Sequence, residues 1–99
     1  MFDITTKDDI TVLQIGQDII STMVPQIKAQ VVDLLAKNPG KLCLDLQNVE
    51  LMDSVGIGVL IAIHNTLKKN GHELAISNAS ENIMKLFQTM RLDQHFQIM

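Results

Sequence analysis

The stretch from Leu42 to Leu67 constrains this chain most. It opens on the apolar run Leu42-Cys43-Leu44-Asp45-Leu46 and continues through Gln47-Asn48-Val49-Glu50-Leu51-Met52 to Asp53-Ser54-Val55-Gly56-Ile57-Gly58. It closes on a second apolar stretch ending at Leu67. The first run is short and nearly all apolar, the pattern of an inner strand covered on both faces. The second is apolar almost all round, at Ile57, Val59, Leu60, Ile61 and Ile63, so periodicity alone fits a strand or a helix. Length decides for a helix, which reaches a good stop at Asn70-Gly71 with Lys68-Lys69 in its last turn. A strand, a short loop and a helix in that order make one layer-forming unit of an α/β fold.

The flanking segments extend this reading. Phe2 to Thr6 and Ile10 to Ile15 read as strands, with Lys7-Asp8-Asp9 as the turn of a hairpin. After Gly16 a helix starts near Ser21 or Thr22, with Pro25 in its first turn, where the missing N–H is not needed. Val24, Ile27, Val31 and Leu34-Leu35 recur at helical spacing, and Asn38-Pro39-Gly40 ends the helix. Glu73 to Ser77 reads as a strand. Ser80 with Glu81 opens a last helix whose Ile83, Leu86, Phe87 and Met90 are expected to face the core. The order ββαβαβα predicts a mixed sheet with helices packed on it.

Composition narrows the function classes. With 99 residues there is room for one domain and a modest core. A net charge of −3, with no basic stripe and no aromatics interleaved with Lys or Arg, argues against direct nucleic-acid binding. No apolar run approaches the roughly 18 residues of a membrane span, so no membrane insertion is expected. Met1-Phe2-Asp3-Ile4 lacks the charged start and apolar core of a signal peptide. The single Cys43 cannot form an internal disulfide, and a cytoplasmic location is the default. His64, His72 and His95 have no ligand-like spacing with one another or with Cys43, so no metal site is expected. The glycines lack the spacing and the lysine of a phosphate-cradling loop, so no cofactor is expected either. Asp45 and Asp53 lie at opposite ends of a strand and loop, which disfavours a shared acid–base site, and no catalytic residue is assigned. Asp45 instead suits a role in ordering the loop.

Ser54 stands at the mouth of the predicted helix. A hydroxyl there lies beside unpaired backbone N–H groups and the positive end of the helix dipole. One reading makes Ser54 the helix cap, with help from Asp53. The other makes it a modification site, where a phosphate brings about −1.5 to −2 charges onto a surface lined with Met52, Val55 and Ile57. Gly56 and Gly58 either pack closely against the sheet or let a partner approach the backbone. The apolar residues Met52, Val55 and Ile57 are either core or a patch for a partner, and a patch at the helix N-terminus is favoured.

The pattern Leu44-Asp45-Leu46, a short spacer, then Met52-Asp53-Ser54-x-Gly56 resembles the STAS domain of anti-sigma-factor antagonists, and the resemblance covers nearly the whole chain. Two positions depart from the family pattern: Val55 follows the serine where a small or hydroxylated residue is usual, and Asp18 comes one place early after Gly16. The resemblance implies a single STAS-like domain over residues 1–99, an α/β fold with a mixed four- to five-stranded sheet and helices packed on it. It implies that Ser54 is the residue phosphorylated by a cognate kinase. The apolar cluster beside that serine places the expected partner-binding surface at Met52, Asp53, Ser54, Val55, Gly56 and Ile57, with neighbouring loops such as Gly16 to Ser21. The implied partners are an anti-sigma factor that is also a serine kinase of the GHKL type, and a serine phosphatase that resets the cycle. In that cycle the chain is a substrate and not an enzyme. Two rival readings stand beside this one. The first is a STAS subunit of another assembly, such as a lipid-transport ATPase, chemotaxis or stress-signalling complex. The second is a small enzyme or nucleotide-binding protein, for which the sequence shows no motif.

Overall fold

The hairpin sets the first edge of the sheet. In the computed structural model, which describes residues 2–37 and 41–99 with Lys7 by its backbone alone, β1 (Asp3–Lys7) pairs antiparallel with β2 (Ile10–Gln14). Lys7 pairs with Ile10, so the turn has only two residues, Asp8 and Asp9, with φ of 51° and 66°. Positive φ at both central positions is what a hairpin turn matched to strand twist requires, and Asp tolerates it better than most residues.

β3 (Lys41–Asp45) then lies parallel to β2, and β4 (Leu74–Ser77) parallel to β3. A short fifth strand, β5 (Gln97–Ile98), runs parallel to β4, and the Met99 N–H extends it with a bond to the Ile76 carbonyl. The sheet order is β1-β2-β3-β4-β5. The parallel crossovers are made by α1 (Val24–Ala36) and α2 (Ser54–Lys69), and α3 (Glu81–Thr89) precedes β5. A 3-10 turn at Ser21–Met23 leads into α1, where Pro25 occupies the first turn as its fixed φ allows. The expected stop at Asn38-Pro39-Gly40 lies outside the described residues.

Strand alternation divides the sheet into two faces. Leu13, Leu44 and Ile76 lie side by side in register on one face, as do Leu42 and Leu74. The buried side chains of all three helices join these residues in a single core. Val12, Cys43 and Ala75 occupy the other face, and none of them belongs to that core. The strand is covered on both faces, as expected for an inner strand: Leu42 and Leu44 are buried in that core and Cys43 is buried on the opposite face. Cys43 is buried on the helix-free face because it is a small side chain on the central strand, between the neighbours Val12 and Ala75.

An expectation for the last helix fails. Met90 does not face the core and is 45% exposed. The helix ends at Thr89 and the chain turns through the left-handed Arg91, so the apolar stripe stops at Phe87. Among the described residues no helix is long and apolar enough to cross a membrane.

Candidate functional site

The loop from β3 to α2 is pinned to the loop that follows β2. Ile19 and Met52 form a parallel bridge: the Ile19 N–H donates to the Leu51 carbonyl at 3.0 Å, and the Asp53 N–H donates to the Ile19 carbonyl at 3.2 Å. Asp18 reinforces this, since one of its carboxylate oxygens accepts from both the Glu50 and Leu51 N–H groups at 3.0 Å. At the loop's other end Asp45 accepts from the Gln47 N–H at 2.9 Å and from the Asn78 side-chain amide at 3.0 Å. Asp45 thus orders the loop.

Strand-like pairing makes the side chains alternate in and out. Leu51 points outward and is 63% exposed, whereas Met52 is buried beside the fully buried Ile19. The same pairing holds Asp53 extended, with φ −88° and ψ 178°, so Asp53 is the helix cap and Ser54 is the first helical residue. The Asp53 carboxylate accepts from the Gly56 N–H at 2.8 Å and, with its other oxygen, from the Ser21 N–H at 2.9 Å. One side chain therefore caps α2 and ties down the turn that starts α1. The Gly56 N–H and then the Ser21 N–H hold the Asp53 carboxyl below the usual carboxylate range; burial opposes them more weakly than either, and the Val55 N–H adds a still smaller lowering.

Gly56 lies against the backbone carbonyl of Ile19 so closely that a Cβ there would overlap it and approach Ile19 Cγ2 to 2.8 Å. A Cβ on Gly58 would meet nothing within 4 Å. Ser54 is left exposed at the helix start, and among the described residues no hydrogen bond engages its hydroxyl. Val55, beside it, is 49% exposed. Among the described residues no three potential metal-ligating side chains lie together.

The model of the STAS domain matches residues 1–99. The chain belongs to the STAS domain family. Its relatives include the anti-sigma-B factor antagonist of Staphylococcus aureus, 27% identical over 84 residues that make up 85% of this chain and 78% of that protein. A crystal structure from Thermotoga maritima, described as a candidate anti-sigma factor antagonist, superposes with a TM-score of 0.92 at 26% identity, covering 98% of this chain and 84% of that one. The fold is also that of the anti-sigma factor antagonist SpoIIAA in its unphosphorylated form, at TM-score 0.77 and 18% identity over 100% of this chain and 87% of that one. The phosphorylated form of SpoIIAA, a Bacillus cell fate determinant, gives a TM-score of 0.76 at 18% identity, covering 100% of this chain and 91% of that one.

Within this STAS domain the six residues expected to form a partner surface are contiguous but do not share one face. Ser54 and Val55 are exposed and Asp53 is half-buried, whereas Met52, Gly56 and Ile57 are buried. The expected apolar lining of Met52, Val55 and Ile57 is corrected to Val55 with Leu51. Two roles at the site were not read from the sequence: the exposure of Leu51, and the pinning of the loop by Asp18, which lies in the neighbouring Gly16 to Ser21 loop. Leu51 was hidden because its outward direction depends on pairing with Ile19. The role of Asp18 was hidden because the N–H donors it accepts from lie 32 and 33 positions away.

Proposed function

We propose that this STAS domain is an anti-sigma factor antagonist controlled by phosphorylation of Ser54. Unphosphorylated, it binds an anti-sigma factor that is also a serine kinase of the GHKL type, which releases a sigma factor in the cytoplasm. The kinase transfers a phosphoryl group from its own ATP to Ser54, the complex is disfavoured, and a serine phosphatase resets the cycle. The domain is a substrate and a binding module, and it has no catalytic role of its own.

The observation that carries this reading is the division of labour at the start of α2. Asp53 does the capping, so the Ser54 hydroxyl is exposed and unengaged, next to the exposed Val55 and Leu51. The relatives named as anti-sigma factor antagonists support the partner class, and SpoIIAA, which shares the fold, is known with and without phosphate. The contact surface is then Asp53, Ser54 and Val55 with Leu51, while Met52, Gly56 and Ile57 support it from beneath.

The energetics need only be modest. A hundredfold loss of affinity corresponds to about 2.7 kcal/mol. A phosphate beside Asp53 that must be buried against Val55 and Leu51 supplies this through like-charge repulsion and desolvation. The helix itself has no reason to melt, because a phosphate near the positive end of α2 is mildly stabilising, by roughly 0.3–1 kcal/mol. The effect is therefore local.

The test is incubation with the candidate kinase and ATP, followed by phosphosite mapping. Phosphate is expected on Ser54, and Ser54→Ala is expected to abolish it while keeping kinase binding and stability within about 0.5 kcal/mol, since no cap is lost. Phosphate mapped to Ser21, Ser77 or Ser80 would refute the site. Amide shift changes spread through the whole sheet on phosphorylation would refute the local mechanism.

A further inference from the structure

The opposite half of α2 carries a second polar feature that the cycle above does not use. His64 is 7% exposed, and its Nδ1 is sealed from water with no hydrogen-bond partner among the described residues. Its ring lies edge-on to Phe96, with centroids 5.5 Å apart, and 6.3 Å from the ring of His95. His64 also lines a cavity of about 250 Å³, together with Asn65, Lys68, Leu92, His95 and Phe96. One water needs only about 10–15 Å³ measured this way, so the space holds something larger.

A proton on Nδ1 would be a buried donor without an acceptor, which costs about 1–3 kcal/mol. His64 is therefore neutral with its proton on Nε2, the nitrogen that is not sealed. Burial first, then the charges of Lys68 and His95, lower its pKa, with Glu73 acting in the opposite sense. The Nε2–H, the Asn65 amide, the His95 ring and the Lys68 ammonium are then the polar groups around the cavity, and Leu92 and Phe96 give it an apolar side. Among the described residues no carboxylate lines it, and a lysine does. That combination opposes a metal cation and attracts an anion.

We propose that this cavity, between the C-terminal half of α2 and the segment that follows α3, binds a small organic carboxylate with a short apolar tail. The carboxylate accepts from His64 Nε2–H and pairs with Lys68, while the tail covers Leu92 and Phe96. His64 lies ten residues beyond Ser54, about 15 Å along the helix axis. The inference is thus independent of the phosphorylation reading.

The intact chain, titrated with hexanoate and observed through its imidazole NMR signals, tests this. Hexanoate is expected to shift the His64 and His95 signals along a common saturable curve and leave His72, which does not line the cavity, unmoved. Hexanol, which lacks the charge, and acetate, which lacks the tail, are each expected to bind more weakly. Lys68→Gln, a substitution at an exposed position, is expected to weaken hexanoate about two- to fivefold, the scale of one solvent-facing charge pair. A non-saturating response, a matching shift at His72, or hexanol binding as well as hexanoate would overturn the proposal. So would zinc ion shifting both His64 and His95 where hexanoate shifts neither, because the site would then select a metal.

Discussion

Two glycines separated by one residue are expected to respond to alanine with opposite signs. At Gly56 the added methyl overlaps the Ile19 carbonyl and comes within 2.8 Å of Ile19 Cγ2. The carbonyl cannot simply yield, because it accepts from the Asp53 N–H, and Ile19 also donates to Leu51. Overpacking of this kind costs about 1–3 kcal/mol. Weakening one or two of those backbone bonds adds about 1 kcal/mol each. Alanine returns about 1 kcal/mol through its better helix propensity. The net loss is about 2.5 kcal/mol, which in a domain of this size lowers the melting temperature by roughly 10–20 °C. At Gly58 nothing opposes the methyl. Only the propensity gain remains, about 0.5–1 kcal/mol, and the melting temperature rises by roughly 2–8 °C. Urea denaturation of both variants, with the slope checked for two-state behaviour, measures the difference. If Gly56→Ala proves neutral or stabilising, the close approach of α2 to Ile19 is wrong, and so is the account of why Met52 turns inward.

Further outcomes follow from the same geometry. Val55→Lys should weaken binding to the kinase and leave the fold intact, since Val55 is half exposed, whereas Ile57→Lys should unfold the domain; circular dichroism beside a binding assay separates the two, and unfolding by Val55→Lys would place that residue in the core. Asp53→Asn should lower stability at pH 7. A carboxyl whose folded pKa is depressed stabilises above its unfolded pKa of about 3.9 and loses that contribution as pH falls through the folded value, so the gap between wild type and Asp53→Asn should close in acid. His64 works in the same direction at higher pH. Its folded pKa lies below 6.5, so the unfolded chain takes up the proton first and stability falls as pH drops below about 6.5. His64→Phe should flatten that part of the stability profile, and an unchanged profile would show that another group titrates there.

Much of the architecture was legible from local pattern. Short apolar runs located β1 to β4, helical spacing located α1, length and a stop signal located α2, a cap signal located α3, and the Asp8-Asp9 pair located the hairpin turn. These signals act between residues one to four positions apart, a range in which sequence order and spatial order coincide. β5 was not legible as an element, because two exposed residues carry no periodicity and the strand exists only through its pairing with β4. At the site, sequence reasoning found Ser54 at the start of a helix. It read Ser54 as either the helix cap, with help from Asp53, or a modification site, whereas the cap is Asp53 itself. The one-residue difference is set by Ile19, whose carbonyl holds Asp53 extended. The same contact buries Met52, exposes Leu51 and requires Gly56. The chain's own sequence determined that an exposed-type hydroxyl would meet an apolar helix. Which residues surround that hydroxyl was decided by bonds linking residues more than thirty positions apart, and no local period encodes a contact of that length.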